Sequence, residues 1–232
     1  MVPEVPEVPE VPRVPEVLVL AATALESKVL QSAGANVVVT GIGAVNTAHA
    51  LTRYFAVNAA PSLVIQTGIA GAYVPADVPV GSVLLADTEI YGDLGVLTPA
   101  GWCPMEEIGI PLIAASLSQP ARFNYFPLDA DLVAWAASTA GHLILRAGKF
   151  VTLSQVTGVR AVGDALYERF GALCESMEGA AAAHVCALHG VPFLEVRGVS
   201  NLVENRDRAK WRVTEAANAA QTAVLKLLEN PR

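Results

Sequence analysis

The feature that most constrains this fold is the alternation of short, uninterrupted apolar runs with stretches of helical periodicity. Strands that are apolar throughout are typical of a sheet covered on both faces, because no side of such a strand meets water. Strands that alternate with helices predict an α/β domain with a largely buried sheet. The predicted strands are residues 17–22, 36–40, 63–67, 80–89, 142–153 and 192–199, and the predicted helices are 24–33, 46–58, 129–140, 163–170, 177–189 and 214–229.

The first fifteen residues follow a different pattern, a repeat of Val-Pro-Glu. Proline at every third position prevents a helix and removes backbone donors, which predicts an extended, polyproline-like segment. We therefore expect a disordered extension at residues 1–15 and a single domain at 16–232. A dispensable extension is the preferred interpretation, and a docking tail is the alternative.

Charge and hydropathy exclude several classes of protein. The net charge is -7 and no cluster of Lys or Arg is present, which argues against binding to nucleic acid. No stretch has the roughly 20 apolar residues of a membrane helix, and the amino terminus lacks the pattern of a signal peptide. We therefore expect a cytoplasmic protein with no membrane partner. Cys103, Cys174 and Cys186 lack the spacing of a metal site.

Polar residues and glycines follow several predicted strands, where α/β proteins bind ligands. Glu26 and the pair Ser200-Asn201 lie at such positions, as do the predicted turns 41–43 and 68–71. By pattern alone, Glu26 is a solvated residue at a helix start and the glycines form ordinary turns. Glu178 lies in the first turn of the predicted helix 177–189, where the helix dipole favours a carboxylate. Helix capping and ligand binding remain equally open for this residue.

Five segments, in order along the chain, resemble the nucleoside phosphorylase and nucleosidase superfamily. These segments are residues 22–26, 67–71, 87–93, 176–186 and 199–201. The resemblance implies a three-layer α/β/α fold with a central mixed, mostly buried sheet. It also implies a homo-oligomer, a dimer or higher, that binds a small purine nucleoside and needs no metal or organic cofactor.

The same resemblance implies roles for the sugar side of the site. Glu26 would deprotonate the attacking water as general base. Glu178 would bind the ribose hydroxyls, and its charge would stabilise the cationic sugar of the transition state. Met177 would pack against the ribose.

On the base side, the backbone at Ile69, Ala70 and Gly71 would approach the ligand, and Gln155 and Val156 would hold the base. Asn201 occupies the position of the Asp with which the adenine-specific nucleosidases protonate the base. An amide cannot supply a proton, but its NH₂ group can donate to the oxygen of a 6-oxopurine. The leaving group would then be hypoxanthine rather than adenine, stabilised by hydrogen bonds or protonated by solvent.

Two departures distinguish hydrolysis from phosphorolysis. The related phosphorylases carry a phosphate-binding Arg where this chain has Gln66, and basic residues where it has Glu26. Both differences favour water as the nucleophile.

Residues 193–197, 101–111 and 200–208 with Trp211 resemble the futalosine hydrolases. That resemblance implies hydrolysis of futalosine to hypoxanthine and dehypoxanthine futalosine, in menaquinone biosynthesis. The carboxyphenyl group of futalosine would then need aromatic and basic contacts. The candidates are Trp102, Phe123, Tyr125 and Phe126 for the ring, and Arg122, Arg206 and Arg208 for the carboxylate.

Three alternatives remain open. A methylthioadenosine/S-adenosylhomocysteine nucleosidase is disfavoured by Asn201, and a purine nucleoside phosphorylase by Gln66. A non-catalytic nucleoside-binding protein is disfavoured because Glu26 and Glu178 are both present.

Overall fold

The computed structural model of the chain describes residues 17–117 and 120–232. The predicted extension at 1–15 lies outside the described residues. Ten strands are present in the described part: β1 (Val17–Ala21), β2 (Val37–Val39), β3 (Leu63–Tyr73), β4 (Val83–Tyr91), β5 (Gly95–Thr98), β6 (Gly101–Pro104), β7 (Tyr125–Pro127), β8 (Arg146–Thr152), β9 (Cys174–Ser176) and β10 (Phe193–Val203). The α-helices of the same residues are α1 (Lys28–Ser32), α2 (Ala44–Val57), α3 (Met105–Ile108), α4 (Ala130–Ala140), α5 (Arg160–Phe170), α6 (Gly179–His189) and α7 (Val213–Leu228).

The main sheet is mixed and partly closes on itself. Its order is β10-β4-β8-β9-β3-β1-β2, with β7 paired to β4, and β10 also pairs with β3. Strands β3, β10, β4, β8 and β9 therefore form a ring, from which β1 and β2 extend. The β1–β3 and β3–β10 pairs are parallel, whereas β9 runs antiparallel to β3. The carboxyl ends of β1, β3 and β10 consequently meet at one edge.

Helices cover both faces of the sheet. Val19 of β1 belongs to a core cluster that includes Leu132 of α4 and Val224 of α7. Its neighbour Leu18 belongs to a second cluster, with Leu51 of α2 and the alanines of α6. Because side chains alternate across a strand, apolar residues at every position require cover on both faces. This arrangement confirms the predicted α/β fold with a central mixed sheet and flanking helices.

Local signals in the sequence fix several helix ends. Asp129, the predicted N-cap, accepts a hydrogen bond from the backbone N–H of Leu132 at 2.7 Å. Gly190, the predicted stop of α6, takes the left-handed conformation at φ 66°. Both predictions are confirmed.

The structure corrects the predicted strand ends near the site. The predicted turn 68–71 is part of β3, and Asn201 lies within β10 instead of after it. Both strands are longer than predicted because they pair with each other from Phe193↔Val64 to Val203↔Tyr73. Glycine and alanine have low strand propensity, and this long-range pairing overrides it.

Three further features of the structure differ from the predictions. The helix predicted at 24–33 is confined to α1, because residues 22–27 form turns. The region 92–128, predicted as loops, contains the β5–β6 hairpin, α3 and β7. Strand β9 was not predicted, since three residues are too few to show a periodicity. Among the described residues, no helix combines the length and the apolar character required to cross a membrane.

Candidate active site

Eight of the nine predicted site residues line one cavity of about 370 Å³. The cavity lies at the carboxyl ends of β1, β3 and β10, the edge where the sheet topology predicts a ligand. The eight residues are Glu26, Ile69, Ala70, Gly71, Val156, Met177, Glu178 and Asn201. Gln155 does not line the cavity, although its neighbour Val156 does.

A larger groove of about 1200 Å³ lies elsewhere, next to Val17, Leu63 and Pro192 at the amino ends of three strands. None of the nine predicted residues lines it. The smaller cavity is therefore the candidate active site, because it brings buried carboxylates together.

Glu26 is buried and rigidly held just beyond β1. One carboxylate oxygen, Oε2, accepts a hydrogen bond from Thr23 Oγ1 at 2.6 Å. The other, Oε1, accepts from the backbone N–H of Ile69 at 2.9 Å. These two contacts tie the turn after β1 to β3, so the carboxylate has a fixed direction in the cavity.

Glu178 directly precedes α6, at its N-cap position, rather than in the first turn as predicted. Its side chain makes no capping hydrogen bond. Instead, Oε1 accepts from the backbone N–H of Gly43 at 2.9 Å, and Oε2 accepts from Arg197 Nη2 at 3.1 Å. The geometry excludes the capping interpretation and leaves Glu178 as a carboxylate held in the cavity wall.

Gly43 explains the otherwise weak glycine signal at residues 41–43. Its φ of 92° lies in the left-handed region, which glycine adopts without the strain of a side chain. This conformation turns the backbone N–H at the start of α2 towards Glu178.

Arg197 is the residue in the cavity wall that sequence reasoning missed. Only 1% of it is exposed, and it donates to Glu195 Oε1 at 2.5 Å and to the backbone oxygen of Ile69 at 3.2 Å, as well as to Glu178. Burial opposes its charge, but Glu195, Glu178 and Glu26 raise the pKa of Arg197 above its ordinary value. Arg197 therefore stays charged and draws the carboxylates together.

A signal for Arg197 was present in the sequence. Glu195 and Arg197 are two residues apart in an apolar strand, so they project from the same face. Charged side chains are seldom buried unless they are paired, which would have indicated an internal ion pair.

Glu89 and Glu195 form a second buried group behind the cavity. Both are 0% exposed, and a Cβ at Gly179 would contact an oxygen of each. Burial and the neighbouring Glu195 raise the pKa of Glu89 well above its ordinary value, against the opposing influence of Arg197 and Thr152. These surroundings favour the protonated form of Glu89.

On the base side, Asn201, Gly71 and Glu175 lie in register across three adjacent strands. Asn201 Oδ1 accepts from Ser200 Oγ at 2.7 Å, and Nδ2 donates to the backbone oxygen of Leu202 at 3.0 Å. One proton of the amide therefore remains available to a ligand. Met177 and Val156 add apolar surface to the same cavity.

Of the residues that were candidates to contact the 5′ substituent, only some line the cavity. Arg206 lines the cavity and stacks 5.0 Å from the ring of Trp211, which also lines it. Arg208 lies 5.9 Å from the Trp211 ring but is not part of the lining. Trp102, Phe123, Tyr125, Phe126 and Arg122 are likewise absent from the lining.

Comparison with known proteins identifies the family. The sequence matches the family described as the phosphorylase superfamily over residues 7–229. It is 42% identical over 166 residues to the futalosine hydrolase of Streptomyces coelicolor, which covers 71% of this chain and 64% of that protein. It is 39% identical over 189 residues to the futalosine hydrolase of Thermus thermophilus, which covers 82% of this chain and 79% of that protein.

Solved structures agree on the fold. The S-adenosylhomocysteine nucleosidase of Streptococcus pyogenes, in complex with 5-methylthiotubericidin, superposes with a TM-score of 0.75 at 22% identity, over 95% of this chain and 98% of that one. The Helicobacter pylori 5′-methylthioadenosine/S-adenosylhomocysteine nucleosidase superposes with a TM-score of 0.77 at 18% identity, over 94% of this chain and 100% of that one. At such identities the likeness concerns architecture alone. The family match and the curated relatives show that this chain belongs to the phosphorylase superfamily and, within it, to the futalosine hydrolase family.

Proposed function

We propose that this chain hydrolyses the N-glycosidic bond of futalosine and releases hypoxanthine. The observation that carries the proposal is the pair of fixed carboxylates, Glu26 and Glu178, in one cavity with Asn201. The chain spans 64% of the length of the Streptomyces relative and 79% of the Thermus relative, and both relatives are named futalosine hydrolases.

The two carboxylates suit two different tasks in this reaction. Glu178, held by Gly43 and Arg197, would accept hydrogen bonds from the ribose hydroxyls and stabilise the positive charge that develops on the sugar. Glu26, held by Thr23 and Ile69, would take a proton from the attacking water. Arg197 would keep their positions fixed by binding Glu178 and the carbonyl of Ile69.

Water suits this cavity better than phosphate does. Arg197, which is fully buried, already contacts two carboxylates, so its charge is not free for an anion. Glu26 and Glu178 would repel phosphate. Gln66 is 0% exposed, donates to the backbone oxygen of Thr67 and is not part of the cavity lining.

The substrate assignment depends on Asn201. Its free amide proton would donate to the oxygen of a 6-oxopurine, and nothing in the amide can protonate adenine. Arg206 and Trp211 are the residues of the lining that suit an aromatic carboxylate on the 5′ side. Gln155, which lies outside the lining, has no assigned contact in this proposal.

The decisive experiment compares nucleosides and nucleophiles. The purified protein should release hypoxanthine from futalosine at the same rate with and without phosphate. Release of adenine from methylthioadenosine, with futalosine untouched, would support the alternative nucleosidase assignment. A strict requirement for phosphate would show a phosphorylase.

The role of Glu26 has its own test. Glu26→Gln keeps the shape of the side chain but removes the proton acceptor, so we expect kcat to fall by about 10²–10⁴-fold. Binding of futalosine, measured by calorimetry on the inactive variant, should change little. An exposed residue provides the matched control, Glu168→Gln, which should retain full activity. Unchanged turnover in Glu26→Gln would remove this residue as the base.

We also propose that the active protein is a homo-oligomer located in the cytoplasm. Ile42 lines the cavity although 57% of it is exposed, and Val45 on α2 is 83% exposed. The region 92–128 adds exposed apolar side chains at Leu97 and Ile110. Light scattering should give a mass of at least twice 24.2 kDa. A monomer that is fully active at assay concentrations would contradict the oligomeric part of the proposal, and cell fractionation would test the location.

A further inference from the structure

The proposed reaction leaves the departing base without a proton donor, and this inference rests on that proposed function. Glu26 serves the water and Glu178 the sugar, while the amide of Asn201 can donate a hydrogen bond but cannot transfer a proton. A purine anion is a poor leaving group, so a general acid is needed near the base.

We propose that Glu175 is the general acid that protonates a ring nitrogen of the departing base. Glu175 lines the cavity and is 3% exposed.

The strand register places Glu175 beside the base site. Gly71 of β3 pairs with Glu175 of β9 on one side and with Asn201 of β10 on the other. A Cβ at Gly71 would lie 3.2 Å from Asn201 Nδ2 and 3.8 Å from Glu175 Cγ, so both side chains lie on the same face as the cavity. With adjacent strands about 4.8 Å apart, the two Cα atoms are separated by roughly 10 Å. Val203 Cγ2 would also lie 3.1 Å from a Cβ at Gly71, so the glycine leaves room for these three side chains beside the cavity.

The hydrogen bonds of Glu175 leave one oxygen unused. Oε1 accepts from the backbone N–H of Thr157 at 2.6 Å, whereas Oε2 is buried without a hydrogen-bond partner among the described residues. A buried polar atom without a partner is costly and often indicates a ligand or a catalytic role. Oε2 is thus the atom that would carry the transferred proton.

The surroundings of Glu175 favour its protonated form. Burial raises the pKa of this carboxyl above its ordinary value, and the hydrogen bond from Thr157 and the nearby Tyr73 hydroxyl reduce that effect. The titratable groups that interact with it are Tyr73 and its chain neighbour Cys174, and burial raises the pKa of both, so both favour their neutral forms. Arg206 is the charged residue that lines the same cavity. Glu26, in contrast, interacts with the charged Arg197, and a Cβ at Gly68 would contact both side chains. One carboxyl group is therefore set up to give a proton and the other to accept one.

The step balances with one water molecule. The C1′–N9 bond breaks and its electron pair leaves with the base, which takes the proton from Glu175 Oε2 and departs as neutral hypoxanthine. Water adds its oxygen to C1′ and gives a proton to Glu26. Afterwards Glu175 takes a proton from solvent and Glu26 releases one.

A leaving-group comparison tests this role. An inosine-type nucleoside methylated at N7 already carries a positive charge on its base, which therefore leaves without protonation. Glu175→Gln keeps the acceptor for Thr157 but cannot give up a proton. We expect it to lower kcat on the unmethylated nucleoside by about 10²–10⁴-fold and on the methylated nucleoside by less than about 10-fold. Glu26→Gln should lower both rates equally, because both substrates need the activated water.

The pH profile of the wild-type protein provides a second measurement that does not depend on the variant. Activity on the unmethylated nucleoside should fall as pH rises through the raised pKa of Glu175, and this fall should be absent with the methylated nucleoside. Three results would each overturn the proposal: equal losses on both substrates in Glu175→Gln, full activity of that variant on the unmethylated nucleoside, or the same pH profile for both substrates. If the wild-type protein acts on an adenosine derivative instead, the assignment to futalosine fails, and the same comparison with N7-methylated adenosine decides the role of Glu175.

Discussion

At the scale of single residues, the site is a balance of buried charges arranged around Arg197. Glu195 and Glu178 form ion pairs with Arg197, and the nearby Glu26 also raises the pKa of Arg197. The raised pKa of Glu89, which lies beside Glu195, opposes a further negative charge in this group. A buried arginine would be costly without these partners, and several buried carboxylates would repel one another without the arginine.

A substitution at Gly68 tests how tightly the buried charged side chains around Arg197 are packed. A Cβ at this position would lie 2.5 Å from Glu26 Oε1 and 2.6 Å from Arg197 Nη1, so Gly68→Ala must displace both. A displacement of about 1 Å can lower a rate about 10²-fold, and we expect a fall in kcat of that order. Gly171→Ala is the control, because its Cβ would meet no atom within 4 Å and only its φ of 59° opposes the change. The control should lower the melting temperature and leave kcat unchanged, and equal activity of the two variants would contradict the prediction.

The raised pKa of Glu89 predicts how stability depends on pH. A carboxyl group with a higher pKa in the folded state binds a proton more tightly there than in the unfolded state. Its contribution to stability is therefore complete at pH values below the pKa of the unfolded state. That contribution decreases as the pH rises above the ordinary pKa of 4.5, and it is lost once the pH has passed the raised pKa of the folded state. Glu89→Gln removes the titration, so its free energy of unfolding should vary less with pH than that of the wild type. Urea denaturation at acid, neutral and alkaline pH checks this, and parallel curves for the two proteins would refute it.

At the scale of elements, the long pairing of β3 with β10 is the main determinant of the site. It carries Gly71 and Asn201 into register and places Ile69 between Glu26 and Arg197. The short strand β9 adds Glu175 from the opposite side. Sequence patterns identified the cores of β3 and β10, but their last residues are small or polar and were predicted as turns. Only the neighbouring strand makes them extended.

Gln221 of α7 links the helix layer to the turn that carries Glu26. It is 0% exposed, accepts from the backbone N–H of Val29 at 2.8 Å and donates to the backbone oxygen of Leu25 at 3.2 Å. Gln221→Ala leaves these backbone groups unpaired, so the free energy of unfolding should fall by about 1–3 kcal/mol. Because the turn loses its anchor, kcat should fall as well.

The exposed neighbour Thr222 supplies the control for that experiment. Thr222→Ala should change the free energy of unfolding by less than about 0.5 kcal/mol and leave kcat unchanged. If Gln221→Ala were as stable and as active as this control, α7 would have no part in holding the turn.

At the scale of the whole molecule, the site depends on a sheet that brings distant parts of the chain together. Glu26, Ile69, Glu178 and Arg197 are separated by up to 171 residues in sequence, yet hydrogen bonds connect all four. The side chains of Glu26, Glu178 and Arg197 are all buried, so little water reaches these bonds. Buried hydrogen bonds of this kind are stronger than exposed ones, because no water competes for them.

The single domain at 16–232 and the dispensable extension at 1–15 stay predictions, which truncation tests. Removal of residues 1–15 should leave the melting temperature and kcat/KM unchanged, because β1 begins at Val17. Removal of residues 1–20 also deletes Leu18, Val19 and Leu20, which are 0% exposed, and this variant should fail to fold. Loss of activity in the shorter truncation, with an unchanged melting temperature, would assign the repeat a role.

The sequence by itself determined the α/β class, most strand and helix cores, the caps at Asp129 and Gly190, and eight of the residues that line the cavity. These features depend on local periodicity, on the conformational limits of particular residues and on motifs that survive as short segments. Only the tertiary structure decided that Glu178 is a held carboxylate and not a helix cap. It also revealed Arg197 as the partner of Glu178 and aligned Glu175 with Asn201. Those relations depend on strand register and burial across long sequence separations, which no local pattern encodes.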